Sequence, residues 1–102
     1  MNPVLFYSEA TAELAEAVSY YETRRPGLGQ ALLTEVEQSV ARIQEHPGIG
    51  ARYKNSGLRH VVLRRFPYVL FYLELSQATW IVAVAHGKRR PGYWKSRILE
   101  HE

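Results

Sequence analysis

Hydrophobic side chains recur every three or four positions through most of the first half of the chain. This spacing places them on one face of a helix, so it predicts amphipathic helices over residues 8–25 and 28–45. Ser8 is the predicted N-cap of the first helix. Pro26-Gly27 forms a short break that predicts an antiparallel helical hairpin. The strand-favouring residues of 3–7 predict a short strand ahead of the hairpin.

The pattern changes in the second half of the chain. Glycine, proline, asparagine and serine over residues 47–57 predict a loop. Beyond it, hydrophobic runs rich in β-branched and aromatic residues predict strands over 58–64, 68–75 and 79–85. The short connections between them favour an antiparallel meander. Residues 93–99 are expected to add a short helix at the C-terminal end.

Together these elements predict an α+β fold of order β-α-α-β-β-β, built as one domain over residues 1–102. The helical hairpin must bury its apolar stripe, and a small, largely antiparallel sheet offers the matching face. The predicted core is formed by the residues on those two faces: Leu14, Val18, Leu32, Val36, Val40, Ile43, Val62, Leu70, Tyr72, Ile81 and Val84.

Charge divides the chain unevenly. Residues 1–51 hold three basic and seven acidic side chains, whereas residues 52–102 hold ten basic and three acidic ones. The net charges of the two parts are therefore −4 and +7. Such a split in one small domain indicates a face that meets an anionic partner.

Composition excludes several classes of protein. A hydrophobic share of 46% is typical of a globular domain, and no apolar run approaches the length of a membrane span. The chain has no cysteine, and its four histidines show no ligand spacing, so neither a metal nor another cofactor is expected. The first residues lack the pattern of a secretion signal, which favours a cytoplasmic protein without membrane association.

Several motifs occur together in one order along nearly the whole chain, and together they resemble the RelE/ParE toxin superfamily. The similarity is greatest to its ParE-like and plasmid-stabilisation members. The motifs are Tyr20-Tyr21, Arg25-Pro26-Gly27-Leu28-Gly29, Glu35-Val36-Glu37, Leu58-Arg59, Arg65-Phe66-Pro67-Tyr68, Ala83-Val84-Ala85-His86 and Arg89 with Pro91-Gly92-Tyr93-Trp94.

The resemblance implies a bacterial toxin that is neutralised by a cognate antitoxin. Two activities occur in the superfamily. ParE-like members inhibit DNA gyrase without catalysing a reaction, whereas RelE-like members cleave messenger RNA on the ribosome without a metal. A third alternative is an inactive homologue that retains only antitoxin binding.

The RNA-cleaving alternative needs basic residues and a tyrosine near the C-terminus to stabilise charge and move protons. Arg59, Arg89 and Tyr93 are its candidate catalytic residues. However, the arginine that active RNA-cleaving members carry on a central strand is replaced here by Val69. Because an apolar side chain cannot stabilise a phosphorane, the resemblance favours the gyrase-inhibiting members.

A gyrase-binding toxin would use a basic surface. Its candidate residues are the cationic side chains of the second half: Arg59, Arg64, Arg65, Lys88, Arg89, Arg90, Lys95 and Arg97. The antitoxin is expected to fold on binding, along the groove between the two helices of the hairpin. Tyr21, Leu28 and Leu32 are the residues expected near this groove. The chain shows no helix-turn-helix or ribbon-helix-helix unit, so sequence-specific DNA binding is assigned to the antitoxin or the complex.

Three aromatic or histidine side chains have structural alternatives to a role in function. His86 is expected to anchor the turn after the last strand, and His60 is expected to be exposed; neither is the preferred general base. Trp94 is expected to pack on the sheet and pin the C-terminal segment, with Arg97 over its ring.

Overall fold

A computed structural model describes residues 1–90 and 92–100; Pro91, which is part of the C-terminal motif, lies outside the described residues. The elements along the chain are β1 (Val4–Phe6), α1 (Ser8–Arg24), α2 (Leu28–Glu45), a 3₁₀ turn (Pro47–Ile49), β2 (Ala51–Arg52), β3 (Arg59–Val62), β4 (Tyr68–Glu74), β5 (Thr79–His86) and α3 (Lys95–Glu100). No helix in this part of the chain is long and apolar enough to span a membrane.

The predicted helices and strands are confirmed, with one correction at the start of α1 and one strand that was not predicted. The N-cap of α1 is Tyr7, whose carbonyl accepts the first helical hydrogen bond from Thr11, so Ser8 is the first helical residue. The predicted loop 47–57 also contains β2, which sequence reasoning missed. Two residues are too few to show the alternating pattern of a strand.

The five strands form one sheet of order β1-β5-β4-β3-β2. Strand β1 pairs with β5 in parallel, and the other neighbours are antiparallel, so the sheet is largely antiparallel as predicted. Two parallel strands need a long crossover connection, and here the helical hairpin supplies it between β1 and the meander. Because β1 covers only residues 79–81 of β5, the rest of that edge is left for other elements.

Two glycines and one carboxylate shape the tight connection between the helices. Gly27 adopts a φ of +89°, which favours glycine at this turn. Gly29 lets α2 approach α1, since a β-carbon there would lie 2.5 Å from the carbonyl oxygen of Val18. Glu22 accepts hydrogen bonds from the backbone N–H groups of Gly27 (2.9 Å) and Gly29 (3.0 Å), and so caps the start of α2.

The core lies between the hairpin and the sheet. Of the predicted core residues, seven are buried: Leu32, Val36, Ile43, Leu70, Tyr72, Ile81 and Val84. Leu14, Val18 and Val40 are partly buried against them. The prediction for Val62 was wrong, because its side chain is 62% exposed. Val62 pairs with Val69, on the face of the sheet that the helices do not cover, and it lies beyond the residues that β2 reaches.

The hydroxyl of Tyr72 holds the 3₁₀ turn against the sheet. It donates a hydrogen bond to the carbonyl of Pro47 (2.6 Å) and accepts one from the backbone N–H of Gly50 (2.9 Å). Burial is the largest influence on this group and raises the pKa of Tyr72 above its ordinary value. The phenol is therefore a neutral structural group that fixes one end of the sheet.

Candidate functional site

The strand register gathers cationic side chains at one end of the sheet. Val62 pairs with Val69, and Val69 pairs with Ala85, so the turn after β3 lies beside the turn after β5. A hydrogen bond of 2.7 Å from the N–H of Gly87 to the carbonyl of Pro67 joins the two turns. Arg64 and Arg65 are thereby placed at the same end as Lys88, Arg89 and Arg90.

The turn after β3 is held by a carboxylate from α2. Glu35 accepts hydrogen bonds from the backbone N–H groups of Arg64 and, at 3.3 Å, Arg65. Because the backbone is bound while both guanidinium groups stay exposed, the turn presents two positive charges to solvent. Glu35 therefore has a positioning role that its motif did not reveal.

The helical hairpin adds two arginines that sequence reasoning missed. The ring of Tyr21, near the end of α1, contacts the ring of Phe66 at 5.0 Å. Gly27 lines a groove of about 500 Å³ together with Arg64 and Arg65. The chain therefore turns beside the β3–β4 connection, and Arg24 and Arg25 join the same end of the molecule.

We call this surface the basic end; its residues are Arg24, Arg25, Arg64, Arg65, Lys88, Arg89 and Arg90. All seven are exposed. Arg24 ends α1 and Arg25 follows it. Both lie within the acidic half of the sequence, so the charge count by halves concealed them. Only the reversal of the chain at Pro26-Gly27 brings them to the others.

The remaining predicted surface residues lie elsewhere. Arg59 pairs with Tyr72 in the register, at the opposite end of the sheet from the basic end. Its guanidinium donates to the carbonyls of Gly50 (2.8 Å) and Gly48 (3.4 Å), so it helps to hold the 3₁₀ turn. Lys95 is exposed at the start of α3, and Arg97 is bound within the protein.

Glu13 of α1 is the centre of a polar cluster that ties the C-terminal segment to the body. Its carboxylate accepts hydrogen bonds from the Arg97 guanidinium (2.9 and 2.8 Å), the Tyr93 hydroxyl (2.6 Å) and the backbone N–H of Val84 (3.0 Å). Arg97 also donates to the carbonyl of Val82 at 3.1 Å. The two side chains thus satisfy polar groups of the β5 edge that β1 leaves uncovered.

The cluster shifts the pKa values of its members. Burial alone would raise the pKa of Glu13, but the hydrogen bonds from Arg97, Tyr93 and Val84 outweigh it and hold this pKa below its ordinary value. Burial, followed by the hydrogen bond to Glu13, raises the pKa of Tyr93 far above its usual range. The phenol is therefore a neutral donor committed to Glu13.

Sequence reasoning missed Glu13, although the pattern held a signal for it. Glu13 follows Ala10 by three positions and precedes Ala17 by four, and both alanines are buried. A carboxylate on the apolar stripe of a helix needs a partner, because an unpaired buried charge is costly. The partner could not be inferred, since Arg97 lies 84 residues further along the chain.

Aromatic packing fixes the segment that follows β5. Trp94 is buried, with 1% of its surface exposed, and its ring lies 5.2 Å from that of Phe71 and 5.8 Å from that of Tyr53. This confirms that Trp94 packs on the sheet. The expectation for Arg97 was wrong: its guanidinium lies 5.0 Å from the ring of Tyr93, not over Trp94. Arg89 stacks on the same ring at 3.9 Å.

Two of the three candidate catalytic residues lie together, since the Arg89 guanidinium stacks on the ring of Tyr93. Arg59 lies apart and is directed to the 3₁₀ turn, and the Tyr93 hydroxyl is bound to Glu13. Val69 lines a cavity of about 120 Å³ with Phe71 and Ala85, and Arg89 and Tyr93 line the same cavity. The position at which the resemblance expects the arginine of an RNA-cleaving member therefore holds an apolar side chain beside Arg89 and Tyr93.

The two histidines have structural surroundings. His86 accepts a hydrogen bond at Nδ1 from the backbone N–H of Lys88 (3.0 Å), as expected for a residue that anchors the turn. His60 is partly buried, contrary to expectation, because its ring stacks on Phe71 and meets Tyr53 edge-on. In the described part of the chain, no three acidic or histidine side chains are grouped as metal ligands.

The predicted antitoxin-binding residues differ in exposure. Tyr21 and Leu28 are partly exposed, whereas Leu32 is fully buried and contacts the core. The outer surface of the hairpin, away from the sheet, carries an apolar groove of about 580 Å³. Its hydrophobic lining comes from Leu14, Val18 and Leu33. The predicted antitoxin-binding residues did not include these three.

Comparison with known proteins agrees with this architecture. The family model described as the ParE toxin of type II toxin–antitoxin systems, parDE, matches residues 4–91. A solved chain from "Chromosomal ParDE TA system from P. aeruginosa" has a similar fold, with a TM-score of 0.76 and 18% identity over 84% of this chain and 96% of that one. At that identity the likeness shows the fold alone. No curated protein sequence matches the chain.

These findings confirm the resemblance to the RelE/ParE superfamily and its α+β fold. The chain belongs to the ParE toxin family of type II toxin–antitoxin systems. The family match ends before Tyr93 and Arg97, so the cluster around Glu13 joins the matched region to the segment beyond it.

Proposed function

We propose that this protein arrests bacterial growth by binding DNA gyrase in the cytoplasm, without catalysing a reaction, and that a cognate antitoxin neutralises it. The observation that carries the proposal is the basic end, where seven exposed cationic side chains from three separate segments lie at one end of the sheet. Membership of the ParE toxin family supports a toxin, and the charge of this surface supports binding to an anionic partner surface.

The positions of the candidate catalytic residues favour binding over RNA cleavage. Metal-free cleavage needs a group that moves a proton near neutral pH, close to cations that stabilise the phosphorane. Tyr93 is a poor candidate, because its hydroxyl donates to Glu13 and its pKa is strongly raised. Arg59 is bound to the backbone of the 3₁₀ turn at the other end of the sheet.

Inhibition of purified gyrase tests the proposal. We expect the protein to block supercoiling at near-stoichiometric amounts, and Arg25→Gln and Arg65→Gln to weaken inhibition about tenfold each, since each removes a charge from a desolvated contact. Arg52→Gln is the matched control, because Arg52 is an exposed arginine at the opposite end of the sheet. We expect it to inhibit like the wild type.

Two results would overturn the gyrase assignment. One is normal supercoiling in the presence of excess folded protein. The other is growth arrest with early loss of translation and cleaved messenger RNA, which would indicate the ribosome as the target.

We further propose that the antitoxin binds along the helical hairpin. The apolar groove that contains Leu14, Val18 and Leu33 supports this, because an amphipathic helix would bury its apolar face there. Tyr21 and Leu28 are partly exposed at the same hairpin.

We expect the chain to co-purify with the product of the neighbouring gene. Val18→Glu should abolish that co-purification, whereas Gln38→Glu, on the exposed side of α2, should preserve it. Equal recovery of antitoxin by both variants would place the interface elsewhere.

A further inference from the structure

A second groove lies between α1 and the ends of β4 and β5, and it adjoins the basic end, since Arg89 is part of its lining. It encloses about 480 Å³. Three tyrosines line one part of it: Tyr20, which is 49% exposed, and the half-buried Tyr21 and Tyr68. The carboxylate of Glu16, one turn before Tyr20 on the same helix, lies in the same lining.

The rings form a continuous aromatic wall. The ring of Tyr21 meets that of Tyr20 edge-on at 5.2 Å and that of Tyr68 at 6.3 Å, also edge-on. In each of these contacts the edge of one ring lies against the face of the other, and a tyrosine face that stays uncovered attracts cations through its negative quadrupole. The guanidinium of Arg24 already lies 4.5 Å from the centre of the Tyr20 ring, which shows that this ring accepts the contact.

Polar groups of the wall are unused within the protein. Among residues 1–90 and 92–100, neither the Glu16 carboxylate nor the hydroxyls of Tyr20, Tyr21 and Tyr68 form a hydrogen bond to another group of the chain. The pKa of Tyr68 is raised, first by burial and then by Tyr21, Glu16 and Tyr20, whose ionised forms are all negative. The wall therefore offers oxygen acceptors and, at neutral pH, the negative charge of Glu16, and among the described residues the Arg24 guanidinium on the Tyr20 ring is the cation in contact with it.

The other charged groups of the groove lie towards its opposite end. Glu13 is paired with Arg97, and Arg89 stacks on Tyr93, which is itself bound to Glu13. Glu13 precedes Tyr20 by seven residues, or roughly 10 Å along the helix. His86 meets Tyr68 edge-on at 5.1 Å and accepts a hydrogen bond from Lys88 at Nδ1.

We propose that the wall formed by Glu16, Tyr20, Tyr21 and Tyr68 is a binding site for an arginine side chain of a protein partner. A planar guanidinium stacks on a tyrosine face and at the same time donates two hydrogen bonds to a carboxylate, whereas an ammonium is a strongly hydrated point charge. The site therefore selects arginine over lysine. It goes beyond the binding of gyrase through the basic end, because it recognises a partner of the opposite charge.

Titration with a blocked arginine tests the site without the need for the natural partner. The probe is N-acetyl-arginine methylamide, and its neutral isostere N-acetyl-citrulline methylamide is the matched control ligand. We expect the arginine probe to shift the ring resonances of Tyr20, Tyr21 and Tyr68 in NMR spectra, with a dissociation constant on the order of 1 mM, and the citrulline probe to bind at least about tenfold more weakly.

Variants assign the binding to this wall. Glu16→Gln and Tyr20→Ala both change exposed residues, and each is expected to weaken the arginine probe about fivefold to tenfold. Glu37→Gln, which removes an exposed carboxylate of α2, is the control and should bind as the wild type does. Absence of shifts at the three rings, equal binding of both probes, or unchanged affinity in Glu16→Gln would overturn the proposal.

The source of the cation is tested in the same experiment. Agmatine presents a free guanidinium on a small amine, so binding of agmatine at least tenfold tighter than the blocked arginine would indicate a small-molecule ligand and overturn the protein partner. A protein partner is supported if an arginine-containing hexapeptide binds at least as tightly as the blocked residue and competes with it. These results are independent of gyrase inhibition, which is measured separately.

Discussion

The Glu13 carboxylate and the Arg97 guanidinium form a two-point ion pair, with Nη1 at 2.9 Å from Oε1 and Nη2 at 2.8 Å from Oε2. The pair connects the middle of α1 to α3, and only 13% and 15% of the two side chains are exposed. Paired donors and acceptors of this geometry form the stronger class of protein hydrogen bonds. The pair therefore fixes the C-terminal segment against the open edge of β5.

Replacing Glu13 should measure this contribution. Glu13→Gln keeps the size of the side chain but removes the charge that Arg97 and Tyr93 both use, so we expect the free energy of unfolding to fall by about 1–3 kcal/mol. Urea denaturation followed by tryptophan fluorescence provides the measurement. Glu37→Gln, an exposed carboxylate on α2, should change stability by less than about 0.5 kcal/mol. A Glu13→Gln protein as stable as the wild type would show that the pair contributes nothing.

The same carboxyl predicts a dependence on pH. Its pKa in the folded protein is held below the ordinary value of 4.5, so its ionised form stabilises the fold. This contribution is fully present above pH 4.5, declines as the pH falls towards the lower pKa of the folded protein, and is lost once the pH passes below it. We therefore expect the stability difference between wild type and Glu13→Gln to be constant near neutral pH and to shrink below pH 4.5. A difference that grew on acidification would contradict the assignment.

Tyr93 allows binding and catalysis to be separated. Tyr93→Phe removes the hydroxyl that donates to Glu13 but keeps the ring on which Arg89 stacks. We expect a stability loss of about 1 kcal/mol and growth arrest close to that of the wild type, because the charge of the basic end is unchanged. Growth on induction and the urea midpoint are the two readouts. Arg89→Gln is the contrasting variant, and it should reduce growth arrest with little effect on stability. Loss of arrest in Tyr93→Phe alone would favour a catalytic phenol.

Gly29 sets the distance between the two helices. Gly29→Ala would place a β-carbon 2.5 Å from the carbonyl oxygen of Val18 and 3.0 Å from the side chain of Glu22, so the hairpin would have to open. We expect a stability loss of about 1–3 kcal/mol, typical of overpacking, in spite of the better helix propensity of alanine. Gly48→Ala is the matched control, since its nearest neighbouring atom would be 3.9 Å away. Equal midpoints of thermal unfolding for the two variants would refute the close approach.

Local chemistry made much of the fold predictable. The helices 8–25 and 28–45 followed from the spacing of their apolar residues, and Pro26-Gly27 ended the first of them, because these are properties of neighbouring residues. The three long strands followed in the same way. Strand β2 did not, because its two residues are strand only through their pairing with Arg59 and His60. Val62 was misplaced for a similar reason. Alternation shows which residues of a strand share a face of the sheet, but it does not show which face the helices cover.

The sequence by itself determined the charge split and the resemblance of its motifs to the RelE/ParE superfamily. It also showed that Val69 stands where the RNA-cleaving members carry an arginine on a central strand. The tertiary structure decided which charges act together. It brought Gly27, in the turn that follows Arg24 and Arg25, beside Arg64 and Arg65. It also turned Arg59 towards the 3₁₀ turn and paired Glu13 with a guanidinium 84 positions away. The physical reason is that helix and strand patterns are set by near neighbours, whereas a salt bridge between distant segments exists only once the chain has folded and excluded water from it.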